Sequence, residues 1–194
     1  DTVKKFVGAG HTVAIEKSAG LTASVTDDAY AAAGAEMGTL AATLKGADAL
    51  FSVQMPDEAT LAKLPKGILL VAHLDPHNAG PRAEALAKAG IDGLAMEFVP
   101  RISRAQAMDA LSSQSNLAGY RAIIEAAYIY GRAFPMMMTA AGTVAPAKAF
   151  IMGAGVAGLQ AIATARRLGA VVSATDVRPA SKEQVASLGA KFVA

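Results

Sequence analysis

Ala149-Phe150-Ile151-Met152 runs directly into Gly153-Ala154-Gly155-Val156-Ala157-Gly158, and a helical pattern over 159–168 follows, closed by Gly169. Val171-Val172-Ser173-Ala174-Thr175 comes next and ends in Asp176-Val177-Arg178. Strand, glycine turn, helix, strand and acid stand in the order that GxGxxG needs if it is to bind a dinucleotide. Without those flanks the same glycines would read as an ordinary turn. Gly153 permits the tight turn, Gly155 lets the backbone approach a pyrophosphate, and Gly158 lets helix and strand pack closely. N–H groups at the positive helix end, around Val156 and Ala157, would carry the diphosphate. Asp176 would accept hydrogen bonds from the adenosine ribose and repel a 2′-phosphate. NAD(H) is therefore expected over NADP(H), with Arg178 beside it as a partial counterweight.

Outward from this motif, short Val/Ile/Leu runs alternate with Ala-rich helical stretches, the rhythm of βαβ units around a parallel sheet. Strands are expected at 12–16, 49–55, 68–74, 93–99, 148–152, 171–175 and 191–194. Helices are expected near 3–8, 26–34, 39–45, 78–88, 115–132 and 159–168, and from Ser181, where Gln184 three residues on suggests a capping box. Residues 136–146 read as irregular. The fold expected is α/β: two Rossmann-like parallel-sheet lobes, 1–132 and 133–194, joined by the long helix, with the second lobe incomplete.

The chain has 194 residues, 53% of them hydrophobic, with 18 Lys+Arg against 16 Asp+Glu and no cysteine. Ala is roughly a quarter of it, far above ordinary usage. Low charge and high apolar content exclude disorder. A net charge of +2 without a basic run argues against nucleic-acid binding. Lack of cysteine removes disulfides and thiolate metal sites. Apolar runs are too short for a transmembrane helix, and no basic-then-apolar leader follows Asp1.

The second signal is a polar segment after the strand expected at 93–99. Arg101, Arg104, Gln106, Asp109 and Ser112 crowd it. In open α/β sheets, loops at strand ends orient ligands. Two arginines could hold a phosphate or carboxylate, Gln106 could bond an amide or ribose, and Asp109 could pair with and fix an arginine. The alternative is an exposed helix start with ordinary surface charges. His73 and His77 flank a strand end; a proton-transfer role is open to them, but structural or surface histidines are the commoner case. No metal-ligand cluster is visible. Met136-Met137-Met138 reads as core or interface.

These residues also resemble a known family. Arg101-Ile102-Ser103-Arg104-Ala105-Gln106-Ala107-Met108-Asp109, then Ser112 to Ala122, Met136 to Val144, the glycine motif, Thr175-Asp176-Val177-Arg178 and Lys182-Glu183-Gln184-Val185, resemble the NAD(H)-binding component of proton-translocating nicotinamide nucleotide transhydrogenases. The likeness runs over essentially the whole chain. It implies direct hydride transfer between NAD(H) here and NADP(H) on a partner component. It implies that Arg101, Gln106, Asp109 and Ser112 lie near the nicotinamide end, with Gln106 reaching toward the partner's NADP(H) ribose. Tyr120 matches a tyrosine near that site. Membrane-spanning partner subunits, a homodimer, and a cytoplasmic place at the inner membrane, or on its matrix side in mitochondria, are implied too. Alanine dehydrogenases share the two-lobed plan and are the nearest rival. Their catalytic His falls on His73, but their Lys falls on Gln54. A third reading is a non-catalytic NAD-binding fragment.

Overall fold

The computed structural model describes residues 1–78 and 80–194, in two compact units, Asp1–Val99 and Pro100–Ala194. The first contains α1 (Thr2–Gly8), β1 (Ala14–Glu16), α2 (Asp27–Ala32), β2 (Glu36–Gly38), α3 (Leu40–Leu44), β3 (Ala49–Gln54), α4 (Glu58–Leu61), β4 (Leu69–His73), α5 (Gly80–Ala89) and β5 (Asp92–Ala95). β1 and β2 pair in parallel, and β3, β4 and β5 form a parallel sheet in chain order. Leu70 of β4 lies opposite Leu50 and Gly93. It anchors a core with Leu44, Leu61, Ile68, Ala72, Leu86 and Ile91. Two elements escape the sequence pattern. β2 is three residues of Glu-Met-Gly with no apolar run, and it forms by pairing with β1. α4 is one turn, started by the Asp57 carboxylate accepting from the Thr60 N–H at 2.8 Å. The strand expected to 99 stops at Ala95 and tightens into a 3₁₀ turn, Met96–Phe98. The helix expected from 78 is described from Gly80, and Ala79 lies outside the described residues.

The second unit contains α6 (Ala110–Ile129), β6 (Met137–Thr139), β7 (Gly142–Val144), β8 (Lys148–Met152), α7 (Val156–Arg167), β9 (Val171–Thr175), α8 (Ser181–Ser187) and β10 (Lys191–Phe192). β8, β9 and β10 form a parallel sheet with β9 central. Ile162, Ala165, Ala174 and Val185 are fully buried against it. Three expectations need correcting. The long helix starts at Ala110, not 115, because Asp109 caps it. It packs on α7, so the units divide at 99/100 rather than 132/133. Residues 137–144 form an antiparallel hairpin rather than an irregular stretch; Gly142 at φ +129 makes its turn. The capping box at Ser181 does not form. Ala180 is the N-cap, and Ser181 sits in the first turn with its side chain buried.

Among the described residues, no helix is long and apolar enough to cross a membrane.

Candidate functional site

β8 ends at Met152 and the chain turns through Gly153, whose φ of +94 favours glycine. Its N–H donates to the Thr175 carbonyl at 2.8 Å, tying the turn to the end of β9. Gly158 is forced by packing: a Cβ there would lie 1.8 Å from the Gly153 carbonyl oxygen. Gly155 differs from both. Its backbone is extended, φ −76 and ψ −169, which any residue adopts. A Cβ on it would meet nothing within 4 Å. Neither conformation nor internal packing accounts for glycine at 155. Space kept for a bound group does, and a pyrophosphate fits the spot. Gly155 is also the N-cap of α7 and offers no side-chain cap, so the first N–H groups of the helix, at Val156, Ala157 and Gly158, are left for an outside acceptor.

Asp176 stands where β9 ends. Its Oδ2 accepts from the Ala154 N–H at 2.6 Å and its Oδ1 from the Arg178 N–H at 2.8 Å. The Arg178 side chain adds Nε to Oδ1 at 2.9 Å and Nη2 to Oδ2 at 3.1 Å. The guanidinium bonds, then the two backbone N–H groups, hold the Asp176 carboxyl far below the usual carboxylate range. Val177 next to it is 98% exposed, an apolar side chain without cover from the chain itself. The glycine turn and residues 176–178 therefore make one assembly.

The polar segment makes another. After a 3₁₀ turn, Ser103–Met108, whose Ala105 is buried, Asp109 caps α6. Its Oδ1 accepts from the Ser112 N–H at 2.9 Å, and its Oδ2 from the Ser112 hydroxyl at 2.6 Å. The Ser112 hydroxyl, its N–H and the charge of Arg101 keep the Asp109 carboxyl low against some desolvation. Asp109 was expected to fix an arginine. Among the described residues it forms no ion pair and serves as the cap instead, because it sits one residue before the helix. Arg101, Gln106, Asp109, Ser112 and Ser113 line a cleft of ≈ 310 Å³. Arg104 is exposed and outside it.

Ser113 and Gly119 carry weight that the sequence pattern alone did not show. Gly119 is buried on α6, and a Cβ there would lie 2.1 Å from the Ala157 carbonyl oxygen. Glycine inside a helix costs about 1 kcal/mol relative to alanine, so Gly119 in an Ala-rich helix was itself a sign of close approach. Ten residues separate Asp109 from Gly119, about 15 Å of helix. α6 thus links the polar cleft rigidly to the glycine turn. Tyr120 beside it is half-exposed.

In the first unit, Gln54, Asp57, His73, Asp75, Arg82 and Glu97 line a cleft of ≈ 490 Å³. His73 Nδ1 is buried without a hydrogen-bond partner, 3.8 Å from Glu97 Oε1. Burial opposes charge on Glu97, but the N–H groups of Asp75 and Leu74, with His73 nearby, hold its carboxyl low. His77 packs edge-on against Phe98. Among the described residues no cluster of His, Asp and Glu could hold a metal ion. Met136, Met137 and Met138 are exposed and so are not core.

The alanine dehydrogenase/PNT N-terminal domain matches residues 1–118, and the C-terminal domain of the same family matches 122–194. The first of the polypeptides that make up the NAD(P) transhydrogenase alpha subunit of Rhodospirillum rubrum is 58% identical over 201 residues, covering 100% of this chain and 52% of that protein. The crystal structure of a transhydrogenase from Sinorhizobium meliloti matches with a TM-score of 0.95 at 58% identity, over 100% of this chain and 58% of that one. An alanine dehydrogenase of Methanococcus maripaludis is more distant, 32% identical over 90% of this chain and 48% of that protein. The chain spans about half the length of the Rhodospirillum relative. With the two domain patterns together spanning nearly all of it, the chain belongs to the alanine dehydrogenase/PNT family, and within that family it is most like the transhydrogenase alpha subunits.

Proposed function

We propose that the chain is the NAD(H)-binding part of a proton-translocating transhydrogenase of the Re/Si-specific type, passing a hydride between NAD(H) held here and NADP(H) held by a partner component. The observation that carries the reading is Gly155: an uncapped helix start and a missing Cβ that nothing inside the protein requires. Gly153 and Gly158 shape the turn, and the N–H groups of Gly155, Val156 and Ala157 face the pyrophosphate. Asp176 takes the adenosine ribose, Val177 gives the adenine an apolar neighbour, and Arg178 borders the ribose. Arg101, Gln106, Asp109 and Ser112 orient the nicotinamide end, with Asp109 holding the α6 start and Gln106 free to reach the second cofactor. A bound nicotinamide supplies the hydride chemistry. The work left to these side chains is alignment, since a misplacement of about 1 Å can cost roughly 100-fold in rate.

Three further aspects of the reading concern assembly and selectivity. The chain associates with an NADP(H)-binding component and membrane-spanning subunits, on the cytoplasmic face of an inner membrane or its matrix side. It forms a homodimer, for which the exposed hairpin with Met137 and Met138 offers an unpaired strand edge and apolar surface. The carboxylate at 176 selects NADH over NADPH. Asp176→Asn in the whole protein should weaken NADH binding and erode that selectivity; equal NADH and NADPH affinities in the unmutated protein would remove the assignment.

The cleft holding His73 favours a second reading, an alanine dehydrogenase-like oxidoreductase. Gln54 weighs against it, since an amide cannot supply the ammonium that a carboxylate substrate and imine chemistry call for. Alanine-dependent NADH formation by the whole protein would establish it. NADH binding with no hydride transfer, even with the partner component present, would instead favour the non-catalytic fragment.

A further inference from the structure

An ionised carboxylate offers about four lone-pair sites, two on each oxygen. At Asp176 all four are taken. Oδ1 accepts from the Arg178 N–H at 2.8 Å and Nε at 2.9 Å. Oδ2 accepts from the Ala154 N–H at 2.6 Å and Arg178 Nη2 at 3.1 Å. Two of these bonds are backbone bonds that shape the turn, and they cannot leave without undoing it. The other two belong to one guanidinium, seated fork-on-fork over the carboxylate. The Arg178 side chain is 61% exposed and the Asp176 side chain 6%. The guanidinium is thus both the lid on the carboxylate and the one partner free to move.

A ribose approaching Asp176 brings two vicinal hydroxyls, again a pair of donors side by side. They need the lone pairs that the guanidinium fills. We propose, resting on the NAD(H) reading above, that Arg178 is a built-in competitor of the adenosine ribose: its side chain covers Asp176 in the empty site and must swing out for the diol to dock. The consequences run two ways. The empty site keeps Asp176 ionised and aimed. The bound ribose always faces a tethered rival, which lowers affinity and speeds exchange of the dinucleotide.

The size of the effect follows from the bond that is broken. Exposed arginine–carboxylate pairs are weak, so removing this one should tighten NADH binding by about 1.5- to 5-fold. The gain should shrink as salt rises, because salt screens the pair in the unmutated protein. An NADH analogue lacking both adenosine-ribose hydroxyls has no reason to displace Arg178, and its affinity should not respond to the substitution.

The experiment compares the whole protein with its Arg178→Ala, Arg178→Met, Asp176→Asn and Asp176→Asn/Arg178→Ala variants, titrating NADH and the dideoxy analogue at low and high salt. Tighter NADH binding in both arginine variants, with the analogue unmoved and no gain in the Asp176→Asn background, is the expected result. Unchanged or weaker NADH binding in both arginine variants overturns the competitor, while a loss in Asp176→Asn still upholds the ribose assignment. NADH binding indifferent to Asp176→Asn overturns the ribose assignment and the competitor with it.

Discussion

Both units raise a three-stranded parallel sheet in chain order, yet they finish their polar ends in opposite ways. In the first unit the chain satisfies itself. Thr26 caps α2 at 3.2 Å, Thr39 caps α3 at 3.3 Å and Asp57 caps α4 at 2.8 Å. Glu97 takes the N–H groups of Leu74 and Asp75 after β4. In the second unit α6 is closed the same way by Asp109, but α7 begins at Gly155 with no side-chain cap. A capped helix has spent its end on stability, and an uncapped one keeps its N–H groups for an anion. The difference shows where a ligand belongs more sharply than cleft size does, since the larger cleft lies in the first unit.

The comparison breaks first at Gly158. A Cβ 1.8 Å from the Gly153 carbonyl must push α7 off the turn. Gly158→Ala should therefore cost on the order of 3 kcal/mol of stability and abolish NADH binding. A thermal unfolding curve that matches the unmutated protein would mean the helix is not seated as described.

Next comes Gln106→Asn, which shortens the side chain by about 1.5 Å. Transhydrogenation with the NADP(H)-binding partner should fall roughly 100-fold, while NADH affinity, set at the glycine turn and Asp176, stays nearly constant. Equal losses in both would put Gln106 on NADH itself. An unaltered rate would make the segment ordinary surface.

The capped side of the comparison is sharpened by Thr26→Ala. It should lower stability by about 1 kcal/mol and leave NADH binding alone, since the cap serves only the fold. Acid gives the smallest effect. Asp109 and Asp176 both ionise at lower pH in the folded chain than in the unfolded one. Their contribution to stability is therefore complete above about pH 4 and is lost as pH falls through the folded values. Denaturant titrations at pH 5 and pH 3 should show the loss, and Asp176→Asn should diminish it.

Strands with long apolar runs are legible from sequence, as is the glycine motif, because β4 and β8 are set by local pattern and Gly153 by local geometry. β2 is not legible: three residues carry no periodicity, and only β1 makes them a strand. The start of α6 is displaced from its expected place because an aspartate among arginines suggests an ion pair, whereas its position makes Asp109 a cap. Arg101, Gln106, Asp109 and Ser112 do share one cleft, as their crowding suggests, since they lie on a single turn and the helix start after it. The full occupation of Asp176 by Arg178 is invisible in sequence, because a separation of two residues does not say how a flexible side chain folds back.

The central claim is that the glycine at 155 serves a ligand and not the fold, and Gly155→Ala tests it most directly. Its backbone is extended and the space beside it is open, so thermal stability should stay within about 0.5 kcal/mol of the unmutated protein. NADH affinity, measured by titration on the whole protein, should fall roughly tenfold or more as the new methyl meets the pyrophosphate. Unchanged affinity would contradict the account, because the uncapped start of α7 would then not be where the dinucleotide binds.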